Sequence, residues 1–204
     1  MNEIERALRN AAGGLPSAPP APLERSFADR AEAAGLLDVA YAGVDSPLGS
    51  LTVAATPRGL VRVAYDTHRS RDEVLEDLAA RLSPRVLEDP ARLDEVRREL
   101  EEYFDGKRTV FDLSIDWSLT RGFTRKVLNQ TARIPYGELL TYADVAGRAG
   151  SPRAVRAAGN ALGANPLPVV VPCHRVVRTG GGLGGYTGGL ERKEFLLRLE
   201  GMLL

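Results

Sequence analysis

The residues with the clearest chemical potential lie together, in Val169-Val170-Val171-Pro172-Cys173-His174-Arg175. Cys173 is the only cysteine of the chain, and His174 is one of its two histidines. A thiol at neutral pH is mostly protonated, and it becomes a nucleophile only with help from a neighbouring base or positive charge. His174 and Arg175 both offer that help. Over these residues alone, a buried structural cysteine beside an unrelated histidine reads equally well. One cysteine and two histidines make no convincing zinc site, so no metal is expected.

The elements that must position Cys173 can be read outward from it. Three β-branched residues predict a short buried strand over 169–171. Pro172 has no N–H to give to a ladder, so the strand should end there and leave the thiol at its tip. Upstream, Phe123, Val127, Leu128 and Thr131 define a helix. Thr141 with Asp144 starts another, from Tyr142 to about 149, and Gly150 makes the turn after it. Ser151 and Pro152 predict the N-cap and first residue of a third helix, running to about 162. Two short helices joined by a glycine-containing turn are a helix-turn-helix signature.

The third helix is thin, with Ala154, Ala157, Ala158, Gly159 and Ala161, and it sets Arg153 and Arg156 one turn apart. Small residues alone suit a helix packed tightly on a neighbour. Small residues with two arginines suit close approach to a phosphate backbone, helped by the field of the helix N-terminus. Downstream, Gly180-Gly181-Gly182-Leu183-Gly184-Gly185 matches the dinucleotide-binding spacing G-x-G-x-x-G. That fold needs a helix opening directly on the loop and a further parallel strand, for which no room remains. The glycines therefore read as a flexible loop crossing near Cys173, and no cofactor is expected. A final helix carries Phe195, Leu196, Leu199, Met202 and Leu203 on its apolar face.

The N-terminal half has a different pattern. Residues 38–45, 50–56 and 60–66 are short β-type runs separated by Pro- and Gly-containing turns, a meander. Ser70 and Glu73 form a capping box before a helix with Val74, Leu75, Leu78 and Leu82 on one face. Asp89-Pro90 opens a second helix bearing Leu93, Val96, Leu100, Tyr103 and Phe104. Phe111, Leu113 and Ile115 alternate with polar residues as a half-buried strand. His68 reads as a surface residue. Before these elements, residues 1–13 suggest a weak amphipathic helix, 15–22 a proline-rich linker, and 24–36 another short helix.

Composition bounds the function. The 204 residues suffice for one large domain or two small ones. No apolar run approaches a membrane span and no signal segment is evident, so a cytoplasmic protein without a membrane partner is expected. Net charge is zero, but residues 1–117 hold 15 Lys+Arg against 22 Asp+Glu, and residues 118–204 hold 12 against 5. Balances of −7 and +7 suggest that the C-terminal half faces a polyanion; packing of the two halves on each other explains them equally.

Several motifs together resemble the O6-alkylguanine-DNA alkyltransferases, also called methylated-DNA–protein-cysteine methyltransferases. They are Pro172-Cys173-His174-Arg175-Val176-Val177, Asn165-Pro166-Leu167-Pro168 before it, and Gly185-Tyr186-Thr187-Gly188-Gly189-Leu190 after it. Ile134-Pro135-Tyr136-Gly137-Glu138 and Tyr103-Phe104-Asp105-Gly106 match as well. The resemblance is specific from about 118 to 201, looser over 38–117 and absent from the first 37 residues. It implies an α+β chain: a ribonuclease-H-like α/β domain over 38–117, then a mostly helical, winged-helix-like domain with the helix-turn-helix over 118–204, after an N-terminal extension of 1–37.

The resemblance also implies an activity: direct reversal of DNA damage, with one alkyl group passing from O6 of guanine, and from O4 of thymine, to the protein's own Cys173. No group in the chain regenerates the thiol, so each molecule acts once. Carried over by position, His174 would be the base, acting through a water, Glu200 would orient and polarise His174, and Asn165 would shape the turn around the thiol. Tyr142 would assist the guanine leaving group, and the backbone of Val176 with Tyr186 and Thr187 would line the base pocket. Arg156 would fill the gap left by a flipped nucleotide, beside Arg153, while Ala157 and Gly159 would let the helix lie in the minor groove. Flipping is required because O6 is stacked inside the duplex. The implied partner is double-stranded DNA containing O6-alkylguanine, bound by a monomer with cooperative assembly on DNA left open. The alternatives are a non-catalytic protein that binds alkylated DNA, which Cys173 argues against, a regulatory helix-turn-helix protein, and a Cys-His-Glu hydrolase. Leu128 stands where the family often has Trp, and Asn160 where many members have a small residue.

Overall fold

The computed structural model describes residues 37–67 and 69–202, together with Arg30. The expected helices over 1–13 and 24–36, the proline-rich linker and His68 lie outside the described residues, apart from Arg30. Three strands form as the meander predicts: β1 (Val39–Val44), β2 (Leu51–Thr56) and β3 (Gly59–Tyr65) pair antiparallel. A fourth, β4 (Val86–Glu88), pairs parallel with β1 and gives the sheet order β3-β2-β1-β4. Three residues are too few to show a period in the sequence.

Helix α1 (Arg71–Arg81) has the expected capping box of Ser70 and Glu73. Its Val74 and Leu78 cover one face of the sheet with Val39, Ala54 and Val61. The opposite face, with Ala40, Ala42 and Val53, joins Leu93 and the buried side of α2 (Asp94–Phe104). That core continues unbroken into the C-terminal helices. A register shift opposite Ala54 and Ala55 allows Leu60 and Val63 to share this face although three positions separate them. Asp89 Oδ1 accepts from the Arg92 N–H at 3.3 Å, but Pro90 takes the cap position of a short 3-10 turn over Ala91–Leu93, and α2 begins only at Asp94.

Residues 111–115 alternate in burial as expected, yet they make a single bridge, Ile115 to Leu60, rather than a strand. The β3 edge is open to this segment over only part of its length, because further along the Val63 N–H donates to the Pro166 carbonyl at 2.8 Å. Strand β3 thus meets the segment that leads to Cys173.

The C-terminal part holds α3 (Gly122–Thr131), α4 (Tyr142–Arg148), α5 (Val155–Gly163) and α6 (Leu190–Leu199). Thr141 and Asp144 make a second capping box at the start of α4. Gly150 closes the helix in a left-handed conformation (φ +83°), with Ser151 N–H on Ala146 O and Gly150 N–H on Gly147 O. Helix α5 starts later than expected. The Ala154 N–H donates to Ser151 O, which closes a turn over 151–154, and Ala154 occupies the N-cap. Arg153 therefore precedes the helix instead of sharing a face with Arg156. A parallel pair of two-residue strands, β5 (Leu140–Thr141) and β6 (Val176–Val177), brings the start of α4 beside the Cys-His segment.

Candidate functional site

The segment before Cys173 is a turn, not the strand that three valines predict. Val169 has φ +74°, a left-handed conformation that costs a β-branched residue about 1–3 kcal/mol and persists only where its surroundings enforce it. Asn165 supplies that enforcement. Its Oδ1 accepts from Leu167 N–H at 3.0 Å, and its Nδ2 donates to Val171 O at 2.8 Å and to Cys173 Sγ at 3.1 Å. The buried valines anchor the turn in the core. One amide side chain thereby shapes the backbone and contacts the thiol.

Cys173 opens a single 3-10 turn, Cys173–Arg175, and is 5% exposed. Burial pushes its thiol up to about 11, against the lowering influence of Asn165, Lys193 and the backbone N–H groups of Cys173 and His174. The resting sulfur is thus a protonated thiol. His174 is fully buried, and desolvation lowers its pKa despite the carboxylate beside it, so the imidazole is neutral at pH 7. Its Nε2 pairs with Glu200 Oε1 at 2.9 Å, while Nδ1 has no protein partner.

Glu200 sits at the end of α6 and is enclosed by donors. Tyr103 Oη donates to Oε1 at 2.7 Å, and Arg175 donates through Nε and Nη2, each at 2.8 Å. Burial alone would raise this carboxyl, but the hydrogen bonds from His174, Arg175 and Tyr103 outweigh it and hold it at about 2. The carboxylate is therefore permanently charged and fixed against His174.

Above the thiol lies a cavity of about 830 Å³, lined by Cys173, Tyr142, Arg156, Gly159, Tyr186 and Thr187 among others. The loop that forms its wall is tied at several points. Gly185 O accepts from Tyr142 Oη at 3.3 Å, Thr187 Oγ1 donates to Gly163 O at the end of α5, and the Tyr186 hydroxyl meets that of Tyr65. Gly184 has φ +73° and lies so close that a Cβ there would sit 2.5 Å from Tyr142 Oη. The run expected as a flexible loop is thus tied beside the cavity, with a close fit at Gly184 and open space at Gly180, Gly181 and Gly185.

The expected residues Cys173, His174, Glu200 and Asn165 come together in one buried constellation, and Tyr142, Tyr186, Thr187, Arg156 and Gly159 line the cavity over it. Val176 does not line it. Val176 is buried beneath, its N–H on Cys173 O and its carbonyl receiving Lys193 Nζ at 2.6 Å. Arg153 and Ala157 are exposed outside the cavity, and Asn160 is exposed at its rim. Leu128 is fully buried in the core.

Arg175, expected to help the thiol by its charge, instead holds Glu200 together with Tyr103. Tyr103 and Lys193 carry no role in the sequence reading; Lys193, wholly buried, bridges Val176 O and Leu183 O. Burial lowers Lys193 to about 8. A signal existed for the lysine: it stands three and four residues before Leu196 and Leu197, on the buried face of α6. Among the described residues, no group of three or more His, Cys, Asp or Glu converges as a metal site. No helix among them is long and apolar enough to cross a membrane.

Fold and site together define a two-part α+β protein in which a helix-turn-helix flanks a cavity floored by a histidine-backed thiol. Residues 39–117 match the family model of the 6-O-methylguanine DNA methyltransferase ribonuclease-like domain, and residues 122–202 match that of its DNA binding domain. A methylated-DNA–protein-cysteine methyltransferase of Methanosarcina barkeri is 38% identical over 160 residues, covering 78% of this chain and 96% of the relative. The inducible one of Bacillus subtilis is 40% identical over 149 residues, covering 72% and 82%. The crystal structure of Mycobacterium tuberculosis OGT in complex with DNA aligns with a TM-score of 0.67 at 37% identity, covering 79% of this chain and 92% of that one. The chain belongs to the methylated-DNA–protein-cysteine methyltransferase family.

Proposed function

We propose that this protein repairs double-stranded DNA by moving an alkyl group from O6 of guanine, or O4 of thymine, onto Sγ of Cys173. The observation that carries the reading is the buried thiol at the floor of the cavity, with a neutral histidine and a fixed carboxylate behind it. In the step, the S–C bond forms as the C–O6 bond breaks. The thiol proton passes to His174 through Nδ1, the nitrogen left unpartnered, by way of a water. Glu200 stays ionised and stabilises the imidazolium that results. Tyr142 donates a hydrogen bond to the departing guanine, which takes up through water the proton that His174 received from the thiol, so that both side chains end neutral.

The thioether product carries no group that leaves easily, so the protein is consumed stoichiometrically, without cofactor or metal. Asn165 contributes by aiming the sulfur. Tyr186 and Thr187 wall the base. Exposed Arg156 and Ala157 with half-buried Gly159 form the face of α5 offered to DNA. A minor groove about 6 Å wide accepts only a slim helix. Arg156, at the cavity rim, takes the place of the extruded nucleotide, and Arg153, on the turn before α5, meets phosphate. The division at residues 117/118, monomeric binding and a cytoplasmic location belong to the same reading.

Intact and peptide mass spectrometry after mixing the protein with duplex DNA containing O6-methylguanine tests it. One added methyl on Cys173, with nothing else supplied, is expected, and Cys173→Ala should abolish transfer while still binding DNA. An unmodified Cys173 beside unrepaired DNA would overturn the reading in favour of a protein that binds lesions without repairing them.

A further inference from the structure

Strand β3 touches the segments around the cavity at two places. One is the Val63 to Pro166 backbone bond beneath the thiol turn. The other is Tyr65, the last residue of the strand. Its hydroxyl lies 2.8 Å from that of Tyr186, and the two rings meet edge to face with centroids 6.3 Å apart. Tyr65 is buried, so its hydroxyl has no water as an easy substitute partner.

Arg192 closes this contact from the other side. Its guanidinium stands 4.8 Å from the centre of the Tyr65 ring. Nε donates to Leu48 O at 3.0 Å, Nη2 to Thr67 Oγ1 at 2.6 Å, and Nη1 to Gly188 O at 2.7 Å. Two of these partners belong to the sheet domain and one to the cavity loop. The fit is tight at Gly188, where a Cβ would lie 2.7 Å from Tyr65 Cε2 and 2.9 Å from Tyr186 Cε1. The sheet domain thus grips the loop through a ring pair and a multidentate cation, with no spare volume between them.

We propose that Tyr65 is a positioning residue for the base cavity: through its hydroxyl, the N-terminal sheet fixes the Tyr186 ring at the angle from which it walls the extruded base. Tyr65 lies outside the cavity lining and acts only through Tyr186. The proposal rests on the assignment of Tyr186 to the base cavity. It gives the sheet domain a part in substrate binding, through Tyr186, beyond covering the core.

The test uses the full chain and Tyr65→Phe, which keeps the ring, its edge contact and the cation stacking and removes only the hydroxyl. Methylation of Cys173 by free O6-methylguanine base is followed by mass spectrometry over a range of base concentrations, which separates the apparent binding constant from the maximal rate. Tyr41→Phe, in β1 on the face toward α1, is the control for loss of a sheet hydroxyl. Tyr65→Phe should weaken the apparent binding constant by about three- to tenfold, the change that one lost neutral hydrogen bond sets. Tyr41→Phe should leave it unchanged. Affinity for undamaged duplex should also be unchanged, and adding Tyr65→Phe to Tyr186→Phe should cause no further loss. Wild-type binding in Tyr65→Phe, or the same loss in Tyr41→Phe, overturns the proposal. Absence of methyl transfer to the wild-type protein overturns the transfer reading instead, and this one with it.

Discussion

Glu200→Gln is the substitution whose effect the structure fixes most closely. The carboxylate accepts from Tyr103, from His174 and twice from Arg175. Glutamine keeps the volume but offers one oxygen and an NH₂ that faces donors, and it leaves the buried Arg175 guanidinium without a counter-charge. The depression of the carboxyl from its ordinary 4.5 to about 2 corresponds to about 3 kcal/mol of stabilisation by its ionised form. That agrees with the 3–5 kcal/mol roughly expected when one partner of a buried pair is removed. Because the folded-state pKa is the lower one, the contribution is complete above about 4.5 and is lost as pH falls toward 2. For a chain of 204 residues, the variant should melt lower by about 6–12 °C at pH 7. Calorimetry or urea unfolding of both proteins between pH 7 and pH 2.5 should show the gap narrowing with acid. Equal stability at pH 7, or a gap that does not narrow, would refute the claim that an ionised, multiply bonded Glu200 holds this corner together.

Two further outcomes follow from the site. Burial lowers His174 below its ordinary 6.5, so the rate of methyl transfer, followed by mass spectrometry from pH 5 to 8, should fall with acid in a limb centred below 6.5; a limb centred above that value would remove His174 as the neutral base. Arg156→Ala should slow repair of O6-methylguanine in duplex DNA by tenfold or more, on the order of 1.4 kcal/mol, and leave reaction with the free base nearly unchanged. Equal slowing of both would take the flipping role from Arg156.

Legibility in the sequence followed the locality of the forces. The three meander strands, the capping boxes at Ser70 and Thr141, and the turn at Gly150 depend on neighbours in sequence, and each was readable there. Strand β4 was not, because its three residues are held by pairing with β1 and by packing against residues distant in sequence. The Val169–Val171 run misled for a related reason. β-branched residues favour extended backbone, but the hydrogen bonds of Asn165 to Leu167, Val171 and Cys173 override that preference, and no propensity encodes a side chain acting over eight residues. Asn165 entered the sequence reading only through the resemblance to a family, which named its position without its three bonds. Arg153 went astray by the few residues that commonly separate expected and observed helix starts. Lys193 was the avoidable omission, since its place on the buried face of α6 is a matter of counting.

The depth of the thiol has a consequence outside repair. Oxidation and adventitious alkylation of cysteine proceed through the thiolate. A thiol pushed up to about 11 holds only about one molecule in ten thousand as thiolate at pH 7. Peroxide or a stray electrophile in solution therefore meets a sulfur that is both screened and chemically quiet. On the reading proposed above, in which each molecule acts once, a sulfur kept reduced and unmarked until substrate binds preserves the single transfer it has to give.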